Sequence, residues 1–214
     1  MLKLEQITKS FNDHQVLRGI DLEVSKGDLI YIQGINGSGK STLFKIICDI
    51  IDPDQGTVSL TEGEQVGALI ENPGFVEGEN LRFNLEALGS INNCYNEEYV
   101  KELCQRLQLD YFGKQPVKNY SVGMRQKLGI IQALMEDQDL ILFDEPSRGL
   151  DKESAREFIQ IIQELHERKD KLIIIASHEY IDLPYTRQLL LEDGLITRVK
   201  DLEQSNVDLS LSAD

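Results

Sequence analysis

Apolar residues recur along the chain with two periods, and the alternation between those periods lays out an α/β fold. Leu2, Leu4 and Ile7, then Val16, Leu17, Ile20, Leu22 and Val24, read as two short strands around the turn-forming pair Asn12-Asp13, since Asn and Asp tolerate the backbone of a tight turn. An antiparallel hairpin is therefore expected to open the fold. Residues 28–33 form a buried-strand candidate that runs into the glycine-rich segment 34–42, after which Leu43, Ile46, Ile47 and Ile50 follow at helical spacing. The stretch from Pro53 to Gly56 ends that helix, and 57–60 and 66–70 are further short strands. Helical spacing marks 80–88 and 97–109, with a polar connection at 90–94 between them. A helix over 124–135, a strand at 140–143, a helix over 152–169 and a strand at 172–177 complete the alternation, which implies a mostly parallel sheet covered by helices. Segments 187–191 and 195–199 flank Glu192-Asp193-Gly194, a terminal hairpin signal.

A length of 214 residues suits one compact domain. The pattern divides it into a domain over 1–200, interrupted by a helical subdomain over 72–123, and a tail over 201–214 with four acidic residues and no basic ones, expected to be solvated and mobile. Charge narrows the partners. Lysine and arginine number 22 against 37 aspartates and glutamates, a formal charge of -15, which repels phosphate backbones and anionic lipid surfaces, so nucleic acid is not expected as a partner. The three cysteines are odd in number and form no CxxC pair, as expected where thiols stay reduced, and the cytoplasm suits this best. The opening residues lack a basic stretch followed by an apolar core, and the longest apolar runs, such as 172–176, fall far short of the roughly 18 residues that span a bilayer. A soluble protein is expected, with any membrane role reached through a partner.

Chemistry concentrates at the glycine-rich segment. Gly34, Asn36, Gly37, Ser38, Gly39, Lys40, Ser41 and Thr42 contain the pattern GxxxxGK[ST] between a strand and a helix. Such glycines let successive backbone N–H groups curl around phosphate oxygens, and the helix N-terminus adds its positive dipole end. Lys40 is then placed to contact the β- and γ-phosphates of a nucleotide and Ser41 to put its hydroxyl on Mg²⁺. A loop of this kind needs a carboxylate for the metal at the end of another buried strand. Asp144 stands there, and Glu145 follows it, which gives Asp144 the metal and Glu145 the attacking water as general base. A surface turn is the plainer account of the two acids.

Between those elements lies Tyr120-Ser-Val-Gly-Met-Arg-Gln-Lys127, which resembles the signature sequence of ABC (ATP-binding cassette) ATPases, commonly Leu-Ser-Gly-Gly-Gln. Ser121 and Gly123 match that pattern; Tyr120, Val122 and Met124 depart from its commonest form. The segment 146–151, ending at Asp151, resembles the family's D-loop region, His178 its switch histidine, and Phe11 the aromatic that stacks on adenine. Each has a plainer reading: Ser121 and Asp151 as helix caps, His178 as a strand-end polar residue, Phe11 as a hairpin core aromatic. Order along the chain carries the resemblance, which covers roughly residues 1–200. It implies a P-loop NTPase with a RecA-like core, an antiparallel β portion and an inserted helical subdomain. It further implies ATP and Mg²⁺ as cofactors, a sandwich dimer with an identical or different second ABC ATPase subunit, and an integral membrane permease as partner at the inner face of the cell membrane. Lys40, Glu145 and His178 then carry hydrolysis, and Ser121, Gly123 and Asp151 serve the nucleotide across the dimer. Where most members have a metal-sensing glutamine this chain has Glu71, similar to bacitracin-type and lantibiotic-type export and immunity cassettes; a solvated loop acid is the simpler account. The competing readings are a soluble ABC ATPase acting on DNA or ribosomes and an ATP-binding regulatory module.

Overall fold

The computed structural model describes residues 1–201, so the acidic tail expected over 201–214 lies outside the described residues from 202 onward. The chain opens with β1 (Leu2–Phe11) and β2 (His14–Val24), paired antiparallel from Leu2 with Val24 to Phe11 with His14. Asn12 and Asp13 turn the chain with φ of 45° and 63°. β3 (Leu29–Gln33) leads through the glycine-rich loop into α1 (Lys40–Ile47), and β4 (Gln55–Leu60) returns to pair antiparallel with β1, completing a three-stranded sheet in the order β2-β1-β4. There follow β5 (Val66–Leu69), α2 (Leu81–Asn92), α3 (Glu97–Arg106), α4 (Val122–Leu134), β6 (Leu140–Asp144), α5 (Lys152–Glu167), β7 (Leu172–Ser177), β8 (Arg187–Glu192) and β9 (Leu195–Asp201). The second sheet runs β5-β6-β7-β3-β8-β9; its first five strands are mutually parallel, and β9 closes antiparallel on β8.

The central strands are buried on both faces, and the two-residue period of a strand sorts their side chains into two cores. Tyr31, Ile141, Phe143, Ile173 and Ile175 face α4 and α5, joining Leu128, Ile131, Phe158 and Ile162. Ile30, Ile32, Leu140, Leu142 and Ile174 face the other way, joining Leu43 and Phe44 of α1 and Leu2, Leu4 and Ile20 of the antiparallel sheet. Phe143 meets Phe158 edge to face at 5.2 Å and 89°, a geometry worth about 0.5–1.5 kcal/mol beyond burial. Leu81 and Leu85 of α2 and Val100 and Leu103 of α3 enter the first core, and both helices pack on α4.

Element ends differ from the periodic reading where single residues intervene. α1 stops at Ile47, because Asp49 takes φ 56° and turns the chain; Ile50 is left 62% exposed. α2 continues through Ser90 and Asn92, since the polar residues lie on an exposed face; Asn93 ends it in the left-handed conformation at φ 55°. α4 begins at Val122, two residues before the apolar period, because Ser121 caps it by accepting from the Met124 N–H. β6 extends by one residue to take in Asp144.

Register decides the site. Gln33 pairs with Ser177 and Asp144 with Ala176, so the carboxyl ends of β3, β6 and β7 lie level at one sheet edge. That edge is where open parallel sheets hold ligands, and it carries Gly34, Glu145 and His178 immediately beyond the strands.

Candidate nucleotide-binding site

The loop after β3 shapes one side of a cleft of about 490 Å³, lined by Asn36, Gly37, Gly39, Lys40, Ser41 and Thr42 and, from elsewhere in the chain, Val16, Glu71, Asn72, Gln126, Asp144, Glu145 and Arg148. Gly39 caps α1 at φ 105° without a side-chain acceptor for the helix N–H groups. A Cβ there would come within 2.9 Å of Leu17, so both conformation and space call for glycine. The first amides of a helix have no intrahelical partner; with no acidic residue in the first turn of α1, they are open to an anion. The Ser38 Oγ is buried without a hydrogen-bond partner, which points to a polar ligand at the loop. Lys40, 5% exposed, folds back so that its ammonium donates to the carbonyls of Gly34 at 2.7 Å and Ile35 at 3.2 Å and lies 3.5 Å from Glu145.

Asp144 is buried, and its carboxylate accepts from the Ser41 hydroxyl. Burial pushes its carboxyl above the usual range against that bond, and the neighbouring Glu145 charge adds to the effect. A buried carboxylate in contact with a serine hydroxyl is a hard-oxygen donor pair, which suits Mg²⁺ completed by water and phosphate oxygens. Glu71 stands at the rim. Its side chain is 54% exposed and is held by Lys45 at 2.8 Å, and no group of three His, Cys, Asp or Glu among the described residues is arranged to hold a metal. The structure thus joins Ser41 to Asp144 and leaves Glu71 paired with Lys45 of α1, near enough for its charge to add to the rise of the Asp144 carboxyl.

Glu145 adopts φ 50°, a strained conformation for a non-glycine residue that clusters at functional sites. Its Oε2 accepts from the Ser177 hydroxyl at 2.8 Å and lies 2.8 Å from His178 Nδ1, while Oε1 accepts from the His178 N–H at 3.0 Å. Burial alone would raise this carboxyl; the His178 ring, the Ser177 hydroxyl and the His178 amide outweigh it and hold the group below its ordinary value. Gln126 of α4, 8% exposed, donates its amide to the carbonyls of Glu145 at 3.0 Å and Pro146 at 3.1 Å, pinning this strained backbone.

Ser121 and Gly123 lie outside the cleft lining, at the start of α4, where a methyl on Gly123 would collide with the Gly149 carbonyl. Asp151 caps α5 through Ser154 and pairs with Lys127 at 2.9 Å. Phe11, 46% exposed at the end of β1, is likewise outside the lining, with the Lys9 ammonium 5.6 Å from its ring. Sequence reading missed Ser177, Gln126 and Arg148. Ser177 adjoins His178 and Gln126 lies inside the signature segment, yet neither has a local signal; their partners are set by packing between distant segments.

Fold and cleft define a P-loop nucleotide-binding domain. Residues 17–148, more than half of the chain, match the family described as ABC transporter, and the chain belongs to that family. It is 34% identical over 188 residues to the uncharacterized ABC transporter ATP-binding protein YdbJ of Bacillus subtilis (strain 168), covering 83% of this chain and 61% of that protein; the chain thus spans about three fifths of that relative's length. It is 28% identical over 219 residues to the bacitracin transport ATP-binding protein BcrA of Bacillus licheniformis, covering 97% of this chain and 70% of BcrA. Its fold matches the dimeric structure of a post-hydrolysis state of an ATP-binding cassette bound to ADP and Pi, with a TM-score of 0.81 and 22% identity over 94% of this chain and 99% of that one.

Proposed function

We propose that the chain is the ATP-binding and hydrolysing motor subunit of a membrane transporter, and that it works as one half of a nucleotide-sandwich dimer. The observation that carries this reading is the seating of Glu145: its carboxylate is fastened by Ser177 and His178 beside the Lys40 ammonium, one residue from the buried Asp144 that faces Ser41. Residues 1–200 act as a single ATP-binding domain, with 72–123 as its helical subdomain.

On this reading the incoming phosphates replace the loop carbonyls as partners of Lys40, and the amides at the start of α1 and the Ser38 hydroxyl bind their oxygens. Ser41 and Asp144 would hold Mg²⁺, whose charge would offset that of the phosphates and of the buried carboxylate. Glu145 accepts the proton of the attacking water, and His178 orients that carboxylate and faces the developing phosphoryl charge. Phe11 stacks on the adenine from the hairpin, and Glu71, paired with Lys45, senses rather than performs the reaction. Ser121 and Gly123, at a helix start away from the chain's own cleft, serve a nucleotide bound by a second ABC subunit, with Asp151 between the two sites.

The transport step is assigned to a separate permease that places this subunit on the cytoplasmic face, as the relatives named as transport ATP-binding proteins support; no helix among the described residues is long and apolar enough to cross a membrane. BcrA is named for bacitracin transport and a relative in Streptococcus pyogenes, 28% identical over 90% of this chain and 90% of its own length, for lantibiotic transport; together with Glu71 this favours export of a peptide antibiotic or similar compound. The test is phosphate release by the purified chain. Release that needs both ATP and Mg²⁺ and disappears in Lys40→Ala supports the proposal. A folded chain that neither binds ATP in a thermal-shift assay nor releases phosphate at any concentration would sink it.

A further inference from the structure

The hydroxyl of Tyr31 has no part in the roles above. Tyr31 stands in the middle of β3 and is 2% exposed, so its phenol must find partners inside the protein. It lies 3.2 Å from the carbonyl oxygens of Ser177 and of Glu179, the residues on either side of His178. The same ring is the floor under segment 178–186, which contains no helix or strand. Tyr180 meets it edge-on at 5.6 Å and Tyr185 at 5.1 Å, and Ile181 and Leu183 are buried in the same core.

We propose that Tyr31 is a positioning residue for His178: by donating its hydroxyl proton to the carbonyls of residues 177 and 179 it fixes the backbone on both sides of the histidine. The His178 amide and Nδ1 are thereby kept on the Glu145 carboxylate, at 3.0 and 2.8 Å. The inference rests on the roles proposed above for Glu145 and His178. His178 itself is 47% exposed in its side chain, so its ring is held by the bond to Glu145 rather than by packing, and the backbone on either side sets where that bond can form. Burial and then the Glu145 charge push the phenol up to about 12, so it remains a donor over the range in which the protein works.

Tyr31→Phe keeps the ring and removes only the hydroxyl, and with it the donor shared by the two carbonyls. Losing one hydrogen bond that orients a catalytic group is expected to lower kcat about three- to tenfold, with KM for ATP changed less than about twofold. The effect should disappear in a His178→Ala background, to less than about 1.5-fold, because two changes acting through one group do not add. A structural role for the hydroxyl would instead lower both backgrounds equally, and that result, or an unchanged kcat in Tyr31→Phe where His178→Ala does slow hydrolysis, overturns the inference. A second readout is independent of turnover. The chain has three histidines, so the His178 ring resonance of the unliganded protein is assigned by its loss in His178→Ala; it should move in Tyr31→Phe while those of His14 and His166 stay. If His178→Ala hydrolyses ATP at the parent rate, the role of the histidine in hydrolysis fails, while the resonance still decides whether Tyr31 positions it. An unmoved His178 resonance overturns the inference outright.

Discussion

Replacing Glu145 by glutamine removes a proton acceptor while leaving its shape, and the hydrogen bonds around it show why the replacement should be tolerated. The carboxylate takes the His178 amide on Oε1 and the Ser177 hydroxyl and His178 Nδ1 on Oε2. A glutamine that puts its oxygen at the Oε1 position keeps the bond from the amide. Its NH2 then faces a hydroxyl, which can rotate to accept, and a ring nitrogen, which accepts in the other neutral tautomer. All three contacts survive with donor and acceptor exchanged at two of them. The loss of charge-assisted bonds is offset only in part by no longer burying a charge, since those bonds outweigh burial in the native state, so stability should fall by about 1 kcal/mol. Catalysis has no such compensation. General-base removal costs about 10² to 10⁴ in rate, or about 2.7–5.4 kcal/mol of barrier. Phosphate release under saturating Mg²⁺-ATP should fall by that factor while ATP affinity is kept. Gel filtration in ATP should then show a dimer that the parent does not accumulate, because nothing discharges the nucleotide that bridges it. Turnover within about threefold of the parent would refute the assignment of the base, and lost ATP binding would refute the argument that the amide fits.

Asp144→Asn should raise the melting temperature of the unliganded chain at neutral pH and abolish the further rise that Mg²⁺-ATP gives the parent; differential scanning calorimetry checks both. The sign follows from its raised carboxyl: the native state holds this proton more tightly than the unfolded chain, so ionisation costs stability as pH rises above 3.8 through the native value. An unliganded variant less stable than the parent at pH 7 contradicts this account. For Glu145 the sign is opposite. Its depressed carboxyl contributes stability that is fully present above pH 4.5 and is lost as pH falls through the native value, so an acid titration of Glu145→Gln should show a shallower loss than the parent. Glu71→Gln, at an exposed carboxylate held by Lys45, should change ATPase activity less than about tenfold; a loss equal to that of Glu145→Gln would mean that the two carboxylates share the base. On the proposed sandwich, in which a second ABC subunit completes each site, specific activity should rise with enzyme concentration, and a constant value over a hundredfold dilution with monomer mass throughout contradicts the sandwich.

Local chemistry made much of this protein legible before any coordinates. Turn residues, glycines and apolar period act over a few positions, which is why the opening hairpin, the phosphate loop, the buried strands over 140–143 and 172–177 and the order of elements could be read along the chain. The same signals failed at element ends: Asp49 stops α1 short of its apolar period, and α2 runs past its apolar stretch on exposed residues until Asn93 turns left-handed and ends it. Tertiary structure alone decided what meets what. The parallel register of β3, β6 and β7 brings Ser41 to Asp144 and Ser177 and His178 to Glu145 across 103, 32 and 33 positions of chain, and no periodicity encodes an approach of that length. Packing of α4 against the same edge sets Gln126 under the Glu145 backbone, and the two-residue period of β3 turns Tyr31 toward the His178 segment. Glu71 shows the converse: its position beside the phosphate loop was readable, but its pairing with Lys45 depends on how the loop after β5 lies against α1. Residue type sets which chemistry is available; the sheet's register sets the distances at which it can be used.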